Sequence, residues 1–222
     1  MKKTHPNITK SPLFSGLSES EISLALDFFA AHETEYKRGE HINNVGDKLD
    51  FFGLVLDGTV QVYTVDIDGN EMIMANVEPG ETFGESLNFL GREADIYICA
   101  SEDTRILMMS SKRISSGHIS SPLELLLTQK FISILANRTL LQNARIQIMS
   151  KLTIRARLTA FFTECVQKNK SFEFDIPFDR EDMAIYLGCD RAALSRELSK
   201  MKREGLIDFQ KRHFIIANRK KK

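Results

Sequence analysis

Two neighbouring segments near the C-terminal end of the chain carry apolar residues at helical spacing. Their apolar faces are formed by Met183, Ala184 and Leu187 in the first segment and by Leu194, Leu198 and Met201 in the second. Asp179 and Asp190 are N-cap residues before the two segments, and Gly188 permits the left-handed backbone that a sharp turn needs. The pattern predicts a helix-turn-helix whose second helix begins at Arg191.

The polar positions of the second predicted helix are basic or small, as a surface that reads DNA bases requires. They are Arg191, Ser195, Arg196, Ser199 and Lys200, with Asp190 at the cap. Two β-prone runs follow, residues 206–209 and 214–216, and the basic pair Lys211-Arg212 lies between them. We interpret these runs as a wing that binds DNA beside the helix. The alternative is an ordinary helical hairpin with a solvated basic face.

A long amphipathic segment precedes this region. Ser121 is a capping residue and Pro122 suits a first helical turn, so we predict a helix of about 28 residues from this point. Its apolar positions repeat every seven residues, at Leu127, Ile134, Leu141 and Ile148. We predict that this seam joins two copies in a parallel dimer and that Asn137 fixes their register. The alternative is packing against the chain's own β-domain.

The first half of the chain has the pattern of a β-domain. From Glu35 to about Met109, short β-prone runs alternate with glycines at positions 39, 46, 53, 58, 69, 80 and 84, a spacing typical of a many-stranded antiparallel sandwich or barrel. Asp68-Gly69 predicts a hairpin with Met72 and Met74 on its buried face. Residues 96–100 and 105–109 are expected to pair with each other as the last strands.

Charge divides the chain into two parts. Residues 1–149 hold 13 Lys and Arg against 20 Asp and Glu, whereas residues 150–222 hold 17 against 10. A basic C-terminal part supplies the charge that binding to DNA phosphates requires, and an acidic N-terminal part does not. We predict an α+β chain with an effector-sensing β-roll in residues 1–119, a dimerisation helix in 120–150 and a winged helix-turn-helix in 151–222.

Composition narrows the possible environments. Of the 222 residues, 42% are hydrophobic and 27% are charged, which is ordinary for a globular protein. No apolar run is long enough to cross a membrane, and residues 1–14 lack the apolar core of a signal peptide, so we expect a cytoplasmic protein without a membrane partner. Cys99, Cys165 and Cys189 are odd in number and far apart, which favours reduced thiols.

The order of β-roll, long helix and winged helix-turn-helix resembles the cyclic AMP receptor protein and FNR family of transcription regulators over nearly the whole chain. The resemblance rests on Gly80, Phe83-Gly84-Glu85, the Leu56-Asp57-Gly58 to Asp68-Gly69 hairpin, and Gly188-Cys189-Asp190-Arg191 through Ser195-Arg196. It implies a jelly-roll domain of the cyclic-nucleotide-binding type, a homodimer, a near-palindromic operator in double-stranded DNA, and RNA polymerase as a further partner. It also implies that Arg191, Ser195 and Arg196 contact bases or phosphates, while Ala192 replaces the usual glutamate.

The resemblance places an effector in the roll. Gly84 and Glu85 match the family's phosphate cassette, but Ala94 and Asp95 stand where its arginine and serine are expected. A carboxylate there repels a cyclic phosphate, which argues against cyclic AMP as the ligand. Arg92 is an alternative anion ligand if the loop is shorter than usual. Gln142 and Asn143 fall on the long helix near the positions where family members contact an effector base.

No cofactor is predicted with certainty, and the effector is unknown. The five histidines show no metal-ligand spacing, so we predict no metal site. Three alternatives stay open. The first is a cyclic-nucleotide-independent regulator that senses redox state or a gas through cysteine or haem, the second is a roll-domain enzyme with a basic accessory domain, and the third is a protein-interaction module that does not bind DNA.

Overall fold

The computed structural model describes residues 5–69, 71–176 and 178–217. These residues form two compact units, one that extends to Asn137 and one that begins at Arg138. Among the helices of the described residues, none is long and apolar enough to cross a membrane.

The first unit contains two sheets and several short helices. Its elements are α1 (Pro6–Lys10), α2 (Glu19–Phe28), β1 (His32–Tyr36), β2 (His41–Asn43), β3 (Phe52–Asp57), β4 (Val60–Val65), β5 (Glu71–Val77), β6 (Thr82–Phe83), α3 (Glu85–Leu90), β7 (Tyr97–Ala100), β8 (Thr104–Met109) and α4 (Lys112–Ser115), followed by the start of α5 (Pro122–Met149). One sheet has the order β1-β8-β3-β6 and the other β2-β7-β4-β5, and the strand pairs are antiparallel.

Two apolar cores lie on opposite faces of the first sheet. Between the sheets, Val55 and Ile106 meet Val60 and Ile98 of the second sheet. On the other face, Phe52 and its neighbours pack against α2 and the first turns of α5. Strand β3 is buried at five of its six positions because it is covered on both faces. The predicted β-roll is therefore confirmed, as is the hairpin of β4 and β5.

Two expectations about strands were wrong. Strands β7 and β8 do not pair with each other, because β7 pairs with β2 and β4 whereas β8 pairs with β1 and β3. The chain crosses between the sheets beside Gly58, where a Cβ atom would lie 2.5 Å from the Asp103 carbonyl oxygen. Met72 and Met74 are 62% and 53% exposed. Strand β5 is an edge strand and only Val77 in it is buried, so alternation alone overstated its covered face.

Helix α5 begins at Pro122, as the sequence predicts, and the Ser121 hydroxyl accepts a hydrogen bond from the Glu124 amide at 3.2 Å. The predicted seam has intramolecular partners at both ends. Leu127 is fully buried in the core of the first unit, and Ile148 is 2% exposed in the core of the second. These two residues are therefore unavailable to a second copy, which corrects the dimer seam derived from the heptad. Leu141 is 59% exposed, Ile134 is partly buried against the first core, and Asn137 is exposed.

The second unit contains helices and a small sheet. After the end of α5 its elements are α6 (Ile154–Asn169), β9 (Glu173–Asp175), α7 (Arg180–Leu187), α8 (Arg191–Arg203), β10 (Ile207–Gln210) and β11 (His213–Ile216). Strand β11 pairs with β10 and with β9, so the predicted wing has a third strand that the sequence pattern did not indicate. One core holds these elements together, with Leu158 and Phe162 of α6 among its buried residues.

Candidate functional site

Local sequence signals set the geometry of α7 and α8. The Asp179 carboxylate accepts hydrogen bonds from the Glu181 and Asp182 amides at 2.8 and 2.9 Å, which caps α7. Gly188 ends α7 at φ +60°, a backbone conformation that residues other than glycine rarely adopt. Asp190 caps α8 by accepting from the Ala193 amide at 2.8 Å. The helix-turn-helix is thus built as predicted.

Helix α8 has one buried and one exposed side. Leu194 and Leu198 are fully buried and Met201 is 4% exposed, which confirms the predicted apolar stripe. The predicted DNA-contacting residues of α8 are all exposed: Arg191, Ser195, Arg196, Ser199 and Lys200. Lys211 and Arg212 are exposed in the two-residue turn between β10 and β11. The second unit therefore brings a row of basic and hydroxyl side chains and a basic turn to its surface.

Two clefts border this row of side chains. The first, about 650 Å³, is lined by Asp175, Asp179, Arg180, Glu181, Arg191, Gln210, Lys211, Arg212 and His213. The second, about 930 Å³, is lined by Ile154, Ala193, Ser195, Arg196, Glu197, Ser199, Lys200, Lys202, Arg203 and Phe209. Every predicted DNA-binding residue except Asp190 lines one of them. The second cleft has four basic residues against one carboxylate, a charge that favours a polyanion.

Charge within the first cleft is partly compensated. Hydrogen bonds from the Asp182 and Glu181 amides and the nearby positive charges of Arg212 and Arg191 lower the pKa of Asp179, which stays ionised as the cap. The His213 ring contacts Asp175 and Glu173 at 3.1 Å each. The hydrogen bond to Asp175, with Glu173 as a second partner, raises the pKa of His213 above its usual value.

Two arginines that the sequence reading missed bind the C-terminal carbonyl groups of α7. Arg157 Nη1 donates to the Leu187 and Gly188 carbonyl oxygens at 3.0 and 2.7 Å, and its Nε donates to the Lys151 carbonyl at 2.9 Å. Arg145 Nη2 donates to the Ile185 carbonyl oxygen at 3.4 Å, and the Arg145 guanidinium lies 5.5 Å from the Tyr186 ring centroid. Cations at a helix C-terminus complement its dipole, so Arg157 fixes the helix-turn-helix turn. A basic residue shortly after an N-cap such as Thr153 is too common to have identified it.

The predicted effector residues Gly84 and Glu85 have structural roles in the roll. Gly84 lies at φ +78° before α3, and a Cβ atom there would lie 2.7 Å from Leu49 Cδ2. Glu85 is 1% exposed and accepts a hydrogen bond from the Thr82 hydroxyl. Arg92 is exposed beyond Gly91. Its guanidinium has no hydrogen-bond or ion-pair partner among the residues that the structure describes.

The interior of the roll is filled beside the cassette. A Cβ atom at Gly53 would lie 2.2 Å from Phe83 Cζ, so the phenyl ring occupies the space next to β3. Gln142 and Asn143 are exposed on α5, among the residues of the second unit. Their contact with an effector stays a prediction, as do the effector contacts of Gly84 and Glu85.

The cysteines are not activated thiols. Burial raises the pKa of Cys99 and Cys189 and raises that of Cys165 to about 11. Since the thiolate is the reactive form, these environments disfavour a cysteine-based redox sensor. Within the described parts of the chain, no group of three or more His, Cys, Asp or Glu residues is placed to hold a metal ion.

Two protein-family models match separate parts of the chain. Residues 33–116 match the cyclic nucleotide-binding domain family, and residues 156–221 match the Crp-like helix-turn-helix domain family. The transcriptional activator protein FnrL of Cereibacter sphaeroides is 29% identical over 196 residues, which cover 82% of this chain and 75% of FnrL. The cyclic AMP receptor protein of Thermus thermophilus is 27% identical over 197 residues, which cover 89% of this chain and 88% of that protein.

Solved structures share the fold of this chain. The catabolite activator protein of Thermus thermophilus is 25% identical with a TM-score of 0.50, and the match covers 93% of this chain and 94% of that one. FixK2 of Bradyrhizobium japonicum is 23% identical with a TM-score of 0.53, covering 85% and 93%. This second likeness shows the fold alone.

Proposed function

Since the chain belongs to the cyclic AMP receptor protein/FNR family of DNA-binding transcription regulators, we propose that it acts as a homodimer on a near-palindromic operator. In this proposal α8 enters the major groove and the wing binds the adjacent backbone. The observation that carries it is the row of exposed side chains on α8, backed by the exposed turn Lys211-Arg212. A small molecule held by the roll controls binding, and RNA polymerase is the partner on DNA.

Base recognition is assigned to the first two turns of α8. Arg191 is exposed at the first position of the helix, and a guanidinium there suits bidentate hydrogen bonding to a guanine. Ser195 and Arg196 follow one turn later on the exposed side. Ala192 has no acceptor for a cytosine amino group, so the operator differs at that position from those read by relatives that carry glutamate.

Phosphate binding is assigned to the hydroxyl and ammonium groups around the base-reading residues. Ser199 and Lys200 lie one turn beyond Ser195 and Arg196, and Lys211 and Arg212 supply two further cations. Asp190 acts by holding the α8 N-terminus in place, where free amides favour a phosphate. Such contacts position the protein without reading sequence.

A second copy of the chain is the proposed partner of α5. Leu125, Ile132 and Ile146 are 52%, 54% and 64% exposed and recur at heptad spacing through Thr139. This stripe begins two positions before the buried Leu127 seam, which places it on the opposite side of the helix. Regulators of this family are typically dimeric, and a two-fold dimer sets its recognition helices about 34 Å apart, one turn of DNA.

The effector is proposed to bind in the roll, near Gly84, Glu85 and Arg92. An anionic ligand fits the exposed Arg92 guanidinium better than it fits Ala94 and Asp95. Thermal shift measurements with cyclic AMP, other cyclic nucleotides, 2-oxo acids and halogenated aromatics would identify the class. Stabilisation by cyclic AMP that survives Arg92→Gln would refute this placement.

Selection from random duplex DNA tests the DNA-binding proposal. We expect an enriched palindrome whose affinity falls steeply as salt rises. Arg191→Ala should relax specificity at one position of each half-site and cost about 1 to 3 kcal/mol there. Equal weakening on all sequences would make Arg191 a phosphate ligand. Failure to enrich any sequence, with and without host extract, would refute sequence-specific binding.

A further inference from the structure

We propose that Arg180 is a positioning residue that fixes the wing turn, Lys211-Arg212, against α7 so that both cations reach DNA phosphates. The proposal rests on the DNA-binding function given above. It concerns a residue that lines the first cleft but is not among the predicted DNA contacts.

The Arg180 guanidinium is held between two elements of the second unit. Its central carbon lies 4.8 Å from the Phe209 ring centroid and 5.1 Å from that of Phe214. These two rings belong to paired positions of β10 and β11 and stack on each other at 5.5 Å and 29°. Nη2 donates a hydrogen bond to the Lys211 carbonyl oxygen at 3.0 Å, and Nη1 lies 3.8 Å from Met183 Sδ. One side chain of α7 thus contacts both wing strands and their turn.

The turn has a conformation that needs external support. Lys211 lies at φ +53°, a region that glycine adopts readily and lysine does not. The Lys211 carbonyl accepts from Arg180, and the Arg212 carbonyl accepts from the Ile176 amide at 3.0 Å. Because both carbonyl groups of the turn are held, the Lys211 and Arg212 side chains are directed by a fixed backbone.

The same contacts make Arg180 a poor phosphate ligand. Both of its Nη groups face protein atoms, and burial lowers the pKa of the guanidinium. Arg191 and Arg212 in the same cleft are exposed. A planar guanidinium stacks on aromatic rings and donates several hydrogen bonds at the same time, whereas an ammonium group is a compact point charge that cannot stack in this way. Lysine is therefore expected to be a poor substitute at position 180.

A double-mutant cycle on DNA affinity against salt tests this role in the full-length protein. The variants are Arg180→Gln, the pair Lys211→Ala/Arg212→Ala, and all three changes together, each measured by fluorescence anisotropy with the selected operator. A lost phosphate contact reduces the salt slope by about 0.9. In the wild-type background we expect Arg180→Gln to reduce the salt slope by more than the value of one phosphate contact per protomer. In the background where Lys211 and Arg212 are alanine, the same change should leave the slope nearly unaltered. An equal reduction in both backgrounds of about 0.9 per protomer, or about 1.8 for the dimer, would show a direct phosphate contact and overturn the proposal.

Amide hydrogen exchange of the free protein gives a readout that needs no DNA. Arg180→Gln and Phe209→Leu should both speed amide exchange in residues 210–213. Arg180→Lys should also exchange faster there than the wild-type protein. Unchanged exchange in Arg180→Gln, or wild-type DNA affinity in Arg180→Lys, would overturn the proposed positioning role of Arg180. If the wild-type protein shows no salt-dependent DNA binding, the DNA-binding function fails, while the exchange rates still decide whether Arg180 holds the turn.

Discussion

Ile132→Ala tests which side of α5 joins two copies of the chain. Full burial of an isoleucine side chain is worth about 1.5 to 3 kcal/mol. Ile132 is 54% exposed, so covering the exposed part contributes about 0.8 to 1.6 kcal/mol in each protomer. A two-fold interface counts each residue twice, which gives about 1.6 to 3.2 kcal/mol for the dimer. The alanine variant should therefore raise the dimer dissociation constant by roughly 15- to 200-fold.

The matched control is Leu141→Ala on the opposite side of the same helix. Leu141 is 59% exposed and belongs to the heptad seam that the sequence alone selects. Sedimentation equilibrium of both variants over a concentration series compares the two sides directly. We expect Ile132→Ala to weaken the dimer and Leu141→Ala to leave it within about threefold of wild type, the effect of a surface change of about 0.5 kcal/mol. A larger effect for Leu141→Ala would refute the exposed stripe as the interface.

Two further predictions concern the second unit. Arg157→Met removes three hydrogen bonds to the Lys151, Leu187 and Gly188 carbonyl groups, and we expect a loss of about 2 kcal/mol in unfolding free energy because the guanidinium is only partly buried. Urea denaturation measures this unfolding free energy, with Arg203→Met at an exposed position as the control. An equal loss of stability in the two variants would contradict a specific role for Arg157. The raised pKa of His213 stabilises the fold below the unfolded pKa of about 6.5 and loses that effect as pH rises through the higher folded value. The melting temperatures of wild type and His213→Gln should therefore differ more at pH ~6 than at pH ~8. An equal difference at both pH values would show that protonation of the ring does not stabilise the fold.

The helix-turn-helix could be predicted in detail because its signals are local. Asp179, Gly188 and Asp190 act on amides and backbone angles within three residues, and the apolar stripe of α8 is periodic. The pairing of β7 and β8 could not be predicted from adjacency, since each strand finds its partners in a different sheet. The positioning role of Arg180 could not be predicted either, because the rings that it contacts lie about thirty residues further along the chain.

The long helix shows a different limit of periodicity. A heptad reports that a face is apolar, but it does not report what covers that face. In α5 the core of each unit buries one end of the predicted seam, at Leu127 and Ile148. The exposed stripe on the other side contains Thr139, which makes it a weaker sequence signal than the buried one. Only the distribution of buried surface distinguishes the two.

The positive φ of Lys211 implies a compromise between stability and activity in the evolution of this turn. Glycine at position 211 would remove a backbone cost of about 1 to 2 kcal/mol, so Lys211→Gly should stabilise the free protein. Selection for a cation that contacts a polyanion would keep lysine at this position despite the backbone cost. Homologues in which this turn has lost its contact with a polyanion should therefore accumulate glycine or asparagine at the corresponding position.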